Sequence, residues 1–281
     1  MKVFIIGAGK VGRALAAACE KRGIDVKLHP ARKVLPKKPI DASIIVLALR
    51  DKQLAPFATE LANGLVQKDT VVVHNAGSQS ADAILPLRGK CAGIAQMHPM
   101  ISFASTSSFP TLKRGHVHVK GDAKAEEKAR KLAKKLGMTP RTFGAKFDPI
   151  AYHAAAGLVA NGAAALAAIG VELLAVAGVP RQDAPLMLGP LLRSVAENVE
   201  ELGFPDALTG PVRRGEAASI EKQIAILRSK LPDALLLYVA SGLAQLPIAR
   251  KIGDATKKQI DEVEAVLKTA SATKSRSQRR G

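Results

Sequence analysis

KVFIIGAGKVGRALAAACEKRG, residues 2–23, carries three structural signals in one stretch, and its reading decides the fold. KVFII is a short apolar, β-branched run of the kind that fills a strand buried on both faces. From Val11 the apolar positions recur at helical spacing until Gly23, a residue suited to the turn that ends a helix. Between them GAGKVG, residues 7–12, gives each glycine a separate task. Gly7 permits the tight turn off the strand, Gly9 lets backbone approach a pyrophosphate, and Gly12 lets helix and strand pack closely. Lys10 and Val11 open the helix, whose unpaired N–H groups and positive dipole end suit phosphate. Strand, glycine turn and helix in this order predict dinucleotide binding; a glycine-rich turn without a ligand is the plainer alternative.

Outward from this unit, DVKLH (25–29), SIIVLAL (43–49), TVVVHNAG (70–77) and CAGIAQMHP (91–99) read as further strands separated by polar or helical segments. HVHVKG (116–121), the charged helix AKAEEKARKLAKKLG and MTPRTFG continue the alternation. Residues 1–145 are therefore expected to form a Rossmann-type α/β domain, a mostly parallel sheet with helices on both faces. After Asp148 the β-branched clusters vanish and Ala/Leu-rich helical patterns take over, at roughly 149–177, 181–202, 216–230, 232–250 and 254–270. Residues 146–270 are expected to be an all-α helical domain, and 271–281, basic and without apolar periodicity, a disordered tail.

The strand ends name candidate contacts, because open α/β sheets bind ligands at their carboxyl edge. After the second strand the chain reads LHPARK, where an NAD-type domain places a carboxylate on the ribose hydroxyls. Arg32 and Lys33 stand there instead and suit a 2′-phosphate, so NADP is favoured over NAD. His29 either stacks on adenine or faces solvent. LALRD places Ala48, Leu49 and Arg50 beneath the ribose and pyrophosphate, with Asp51 read as the cap of the next helix. HNAGS brings His74, Asn75 and Ser78 to the same edge, and MHPM brings His98. Ser102 opens a polar loop that could line a substrate pocket. In GPVRRG (210–215), Arg213 or Arg214 could hold a carboxylate or phosphate in a fixed fork, or the segment is a linker with surface charge. The long apolar helix FDPIAYHAAAGLVANGAAALAAIG (147–170) carries His153 and Asn161.

Composition sets outer limits. The 281 residues, 47% hydrophobic, allow two domains with real cores. Two cysteines give no disulfide framework, no Cys/His group has metal-ligand spacing, and no nucleophile-elbow spacing supports a hydrolase. A net charge of +18 attracts phosphate-bearing partners of any kind. Nucleic acid bound through the basic surface and tail is the weaker reading beside a small-molecule substrate. The apolar stretch 157–179 is interrupted by Glu172 and rich in alanine, which argues against a membrane span. Lys10 and Arg13 interrupt the N-terminal apolar run, so a cytoplasmic protein is expected.

GAGKVG, HNAGS, HPMISF, YHAAAGLVAN and ALTGPVRRGE together resemble a Rossmann-like oxidoreductase family whose C-terminal part is the domain of unknown function 2520. The resemblance spans nearly the whole chain short of the tail. It implies a relation to the 6-phosphogluconate/β-hydroxyacid dehydrogenase and pyrroline-5-carboxylate reductase group, with a nicotinamide-binding first domain and a helical domain that forms a homodimer. In β-hydroxyacid dehydrogenases the first helix of the second domain carries a catalytic Lys and, one turn later, an Asn. Asn161 matches that Asn, but Gly157 occupies the position of the Lys. His153 lies a further turn back, about 12 Å of helical rise from Asn161, so both can face one cleft. A histidine can supply the proton that a lysine would otherwise give. His153 is the candidate acid, His98 its rival, and plain hydrogen-bonding roles for His153 and Asn161 are the alternative. The expected activity is NADP(H)-dependent hydride transfer to or from a small anionic carbonyl, imine or hydroxy compound. A non-catalytic dinucleotide sensor or scaffold is the second reading, which the missing Lys makes credible.

Overall fold

The computed structural model describes residues 1–144 and 146–277. The chain divides into two compact units, Met1–Ala160 and Asn161–Gly281. The division falls later than the change of texture near residue 145. Its reason is visible in the rings of Tyr152 and His153, which pack against His98 and His118 of the sheet.

The first unit runs β1 (Lys2–Ile6), α1 (Lys10–Lys21), β2 (Asp25–His29), β3 (Ile44–Leu47), α2 (Asp51–Ala62), β4 (Val71–His74), β5 (Gly93–Pro99), β6 (His116–Gly121), α3 (Ala123–Lys135) and β7 (Thr139–Arg141). A 3-10 segment, Ala81–Leu87, lies between β4 and β5. The seven strands are ordered β2-β1-β3-β4-β5-β6-β7. Pairing is parallel from β2 through β5, antiparallel between β5 and β6, and parallel again between β6 and β7. The mostly parallel α/β expectation holds.

Both faces of the sheet are covered, which is why its strands read as continuous apolar runs rather than alternating ones. Val3, Ile5, Val46 and Val73 pack with Leu15 of α1 and Leu132 of α3 on one side. Phe4, Ile45, Leu47 and Val72 pack with Leu54 of α2 and Ile84 on the other. The chain turns to opposite sides after β1 and β3, and this reversal opens a crevice at their carboxyl ends. The register aligns Ile6 with Leu47, Leu47 with His74, and His74 with Gln96. Gly7, Ala48, Asn75 and His98 consequently come to one edge.

α4 (Pro149–Val176) is the helix in which the two units divide. The second unit adds α5 (Ala184–Glu201), α6 (Ala217–Lys230), α7 (Leu235–Ile252) and α8 (Lys257–Ser277). Its core is built from α6, α7 and α8, with Ile220, Ile224, Val239, Leu246, Val263 and Leu267 buried together. The helical domain is as predicted, but α8 continues to Ser277. Residues 271–277, read from sequence as part of a disordered arm, are thus helix. Residues 278–281 lie outside the described residues.

α4 buries none of its residues and α5 buries only Ala184. Leu158 and Val159 of α4 are 76% and 72% exposed, and Leu186 of α5 is 75% exposed. By length and composition alone, Pro149–Val176 and Pro232–Ile252 are apolar enough to cross a bilayer.

Candidate active site

The glycine turn is built as its sequence demands. Gly7 sits at φ 115°, and a Cβ there would lie 2.2 Å from the Ala48 carbonyl oxygen. At Gly12 a Cβ would lie 1.8 Å from the Gly7 carbonyl oxygen, so only glycine lets α1 pack down on β1. Gly9 differs from both. Nothing lies within 4 Å of a Cβ built there, and Gly9 caps α1 with no side-chain hydrogen bond. The open space and the uncapped helix start together fit a pyrophosphate.

Around the turn, Gly7 N–H donates to the His29 carbonyl and Ala48 N–H to the Ile6 carbonyl, each at 2.8 Å. Ala48 therefore forms the floor beneath Gly7, and Leu49 packs into the core beside it. His29 stacks on Phe4 and its Nε2 donates to the Lys33 carbonyl at 3.2 Å, which fixes the turn carrying Arg32 and Lys33. Those two cations are exposed and, among the described residues, have no carboxylate partner. Arg50 is exposed and takes the cap position of α2. Asp51 is not the cap that the sequence suggested. It is the first helical residue, and its carboxylate accepts from Ser78 Oγ at 2.8 Å, tying the ends of β3 and β4 together.

Three residues at and just after the end of β4 have different fates. His74 is fully buried and its Nε2 donates to the Ser80 carbonyl at 2.8 Å. Its side chain is shut inside the unit, with Nδ1 buried and without a partner among the described residues. Asn75 donates through Nδ2 to the Met97 carbonyl at 2.5 Å, leaving its Oδ1 buried without a partner. A buried acceptor of that kind calls for a donor. Gly77 is the third. A Cβ there would lie 2.4 Å from His153 Nδ1 and 2.8 Å from His98 Nε2, so the bare glycine is what lets the two imidazoles converge.

Those imidazoles are 5.7 Å apart between ring centroids, in an edge-on arrangement. His98 is oriented from below. Its Nδ1 lies 2.8 Å from the Asn75 carbonyl oxygen, which can only accept, so Nδ1 carries the hydrogen and Nε2 is left free. Burial pushes the His98 pKa down; the neighbouring His153 pushes it the same way, against the opposing Asn75 bond. Gln96 donates to the carbonyls of Ala76 and Gly77, at 2.7 and 3.3 Å, and holds the loop against β5.

Beside this pair lies a group of rings that sequence reading missed. His118 sits opposite His98 in the β5–β6 register, 1% exposed, with Phe143 stacked on it at 5.3 Å and Phe147 at 4.2 Å. Tyr152 contacts Phe147, Phe143 and His98. Burial lowers the His118 pKa to about 4. Only the antiparallel pairing of β5 with β6 brings these residues together, and no spacing in the sequence signals it.

Ser102 is exposed on the loop after β5. Asn161 is exposed on α4 at the start of the second unit. Arg213 is engaged within the second unit, bonding Asp254 at 2.6 Å and the Leu208 carbonyl at 2.8 Å. Arg214 makes a two-pronged pair with Glu216. Arg213 thus ties its loop to the turn after α7, and Arg214 is held by its own loop.

Residues 116–245 match the domain of unknown function DUF2520. Among curated proteins none matches the sequence. Solved structures share the fold across nearly their whole length. A protein assigned as an NADP oxidoreductase from Bacteroides fragilis is 20% identical, covering 87% of this chain and 97% of its own, with a TM-score of 0.68. Pyrroline carboxylate reductase of Plasmodium falciparum, solved with NADP bound, is 13% identical over 97% of each chain, with a TM-score of 0.55. An imine reductase of Streptomyces aurantiacus is 15% identical, covering 97% of this chain and 95% of its own, with a TM-score of 0.50. The chain carries a DUF2520 region over residues 116–245, and its fold as a whole is similar to that of these oxidoreductase and reductase structures.

Proposed function

We propose that the chain is an NADP(H)-dependent oxidoreductase acting on a small anionic carbonyl, imine or hydroxy compound. The observation that carries the reading is the meeting of His98 and His153 over Gly77, at the sheet edge that also presents the open face of Gly9. A bound nicotinamide would supply the hydride chemistry. Gly7, Gly9 and Gly12, with the start of α1, would hold the pyrophosphate. Asn75 Oδ1 would accept from a ribose hydroxyl or the carboxamide, and Arg32 and Lys33 would hold the 2′-phosphate that separates NADP from NAD.

The chain's own part in turnover is to manage a proton. His98 is neutral near pH 7, with Nδ1–H committed to Asn75, so Nε2 takes or returns the proton at the reacting group. His153 is exposed beside it and exchanges that proton with water. The neutral His98 ring favours the role of base in the direction of oxidation.

The uncovered apolar faces of α4 and α5 support a homodimer through the helical unit. Stable interfaces bury about 800 Å² on each partner, and a second copy is a better cover than a bilayer for a helix that also bears His153, Asn161 and Glu172. The assembly is proposed to be cytoplasmic, with no nucleic acid partner. Light scattering should give twice the chain's 29.5 kDa, whereas flotation with lipid vesicles would refute this cover.

Steady NADPH oxidation across keto acids, imines and aldehydes tests the activity. His98→Ala and His153→Ala should each lower turnover by about 10²-fold or more, with NADPH affinity retained. Tight NADPH binding without turnover over the whole panel would favour the sensor reading, which Gly157 in place of a Lys supports.

A further inference from the structure

We infer that the site beside His98 takes a protonated amine or iminium nitrogen, whose N–H donates to His98 Nε2 while its positive charge lies against the rings of Phe143, Phe147 and Tyr152. The inference rests on the oxidoreductase reading in one respect, that the carbon next to this nitrogen is the one exchanging hydride.

The polarity of the hydrogen bonds leads to it. The Asn75 carbonyl fixes the hydrogen of His98 on Nδ1, so a neutral ring offers a lone pair at Nε2, and that atom has no hydrogen-bond partner among the described residues. A carbonyl oxygen or a carboxylate would meet lone pair with lone pair there. An N–H group meets its complement.

The rings make the same choice. The chain holds only seven Phe and two Tyr, yet Phe143, Phe147 and Tyr152 gather around His118, and Tyr152 reaches the edge of His98. Phe143 remains 42% exposed, so the group is open to a ligand. Aromatic faces attract cations and repel carboxylates. Near His118, Lys120 pairs with Glu126 and Arg130 donates to the Thr142 hydroxyl. The positive charge of the whole chain acts at longer range and is screened beyond about 8 Å at physiological salt. It attracts an anionic remainder of the substrate without deciding what sits at Nε2.

Benzylamine and benzoate form a matched pair of probes, alike in size and opposite in charge. Each is titrated at pH 7 into ¹⁵N-labelled protein, with and without NADP+, while the imidazole nitrogens of His98 are followed by NMR. Benzylammonium should shift Nε2 and bind about 10-fold or more tightly than benzoate, the difference expected for a hydrogen bond to a charged group. Phe143→Leu, at an exposed position, should weaken benzylammonium by about 3-fold while leaving NADP+ affinity unchanged. His98→Phe should abolish the response; should that variant fail to fold, Phe143→Leu alone decides. Benzoate moving Nε2 as strongly as benzylammonium, or benzylammonium leaving Nε2 unmoved at millimolar concentration, would overturn the inference. Failure of NADP+ to bind would sink the oxidoreductase reading while the amine result stands on its own.

Discussion

Gly77→Ala places a single methyl group where two imidazoles meet, and its consequences can be worked from the distances. The new Cβ would lie 2.4 Å from His153 Nδ1, 2.7 Å from His98 Cε1 and 2.8 Å from His98 Nε2. Ordinary contacts between heavy atoms are about 3.5–4.0 Å, so something must retreat by roughly 1 Å. His98 is held by the Asn75 carbonyl and flanked by Tyr152, whereas His153 is exposed on the first turns of α4, so His153 gives way. Overpacking of this kind costs about 1–3 kcal/mol, and at about 2–4 °C per kcal/mol for a unit of this size, calorimetry should record a lower midpoint. Withdrawal of His153 removes one of the two influences depressing His98. Its pKa should rise but stay below the ordinary 6.5, because burial, the larger cause, remains. Displacement of about 1 Å within a proton relay should reduce turnover by about 10²-fold. NADPH affinity, which depends on the glycine turn, should not change. An unchanged midpoint together with unchanged His98 and His153 resonances would refute the convergence on which the proposed site depends.

Three other perturbations separate the parts of the site. Gly9→Ala adds a methyl where nothing lies within 4 Å and where φ −79° suits alanine, so the free protein should melt as the wild type does. Calorimetric titration should nevertheless show NADPH binding weakened by about 10-fold or more, because the methyl fills the space through which backbone approaches the pyrophosphate; undiminished affinity would place the nucleotide elsewhere. Arg32→Glu combined with Lys33→Glu should weaken NADPH by about 10–100-fold and leave NADH within a few-fold, since a charge-assisted contact to phosphate contributes about 1.5–3 kcal/mol. Finally, His118 takes up a proton less readily folded, near pH 4, than unfolded, near 6.5. Stability from this group is therefore complete above pH 6.5 and lost as pH falls toward about 4. Urea midpoints should decline over that window, and His118→Phe should flatten the decline; an unaltered pH slope would contradict the burial of a neutral imidazole among the rings.

The Rossmann-type sheet was legible because its signals are short-range. A buried strand, a glycine turn and an amphipathic helix each occupy about ten residues, and the tasks of Gly7 and Gly12 are set by contacts inside the motif itself and at Ala48. The helical unit was legible for the same reason, with periodicity giving existence and type better than bounds. β4, for example, stops at His74 rather than Gly77. Where the sequence reading changed, the deciding contact was distant. Asp51 stands where a cap is expected, yet its carboxylate goes to Ser78 across the neighbouring strand end. Arg213 resembles a substrate fork in a loop read alone, but Asp254 and the Leu208 carbonyl occupy it.

Gly77 shows most clearly why the candidate site resists reading from sequence. In HNAGS it is one small residue among several, and neither its neighbours nor any motif spacing distinguishes it. Its constraint comes from His98, on the next strand, and from His153, on a helix that composition assigns to the other domain. His98 is in turn given its free Nε2 by a backbone carbonyl, an atom whose identity no side-chain letter records. Spacing finds a site whose partners share one turn, as in GAGKVG. A site whose partners meet only after β4, β5 and the start of α4 have assembled is specified by the fold, and the sequence shows its residues without showing which of them touch.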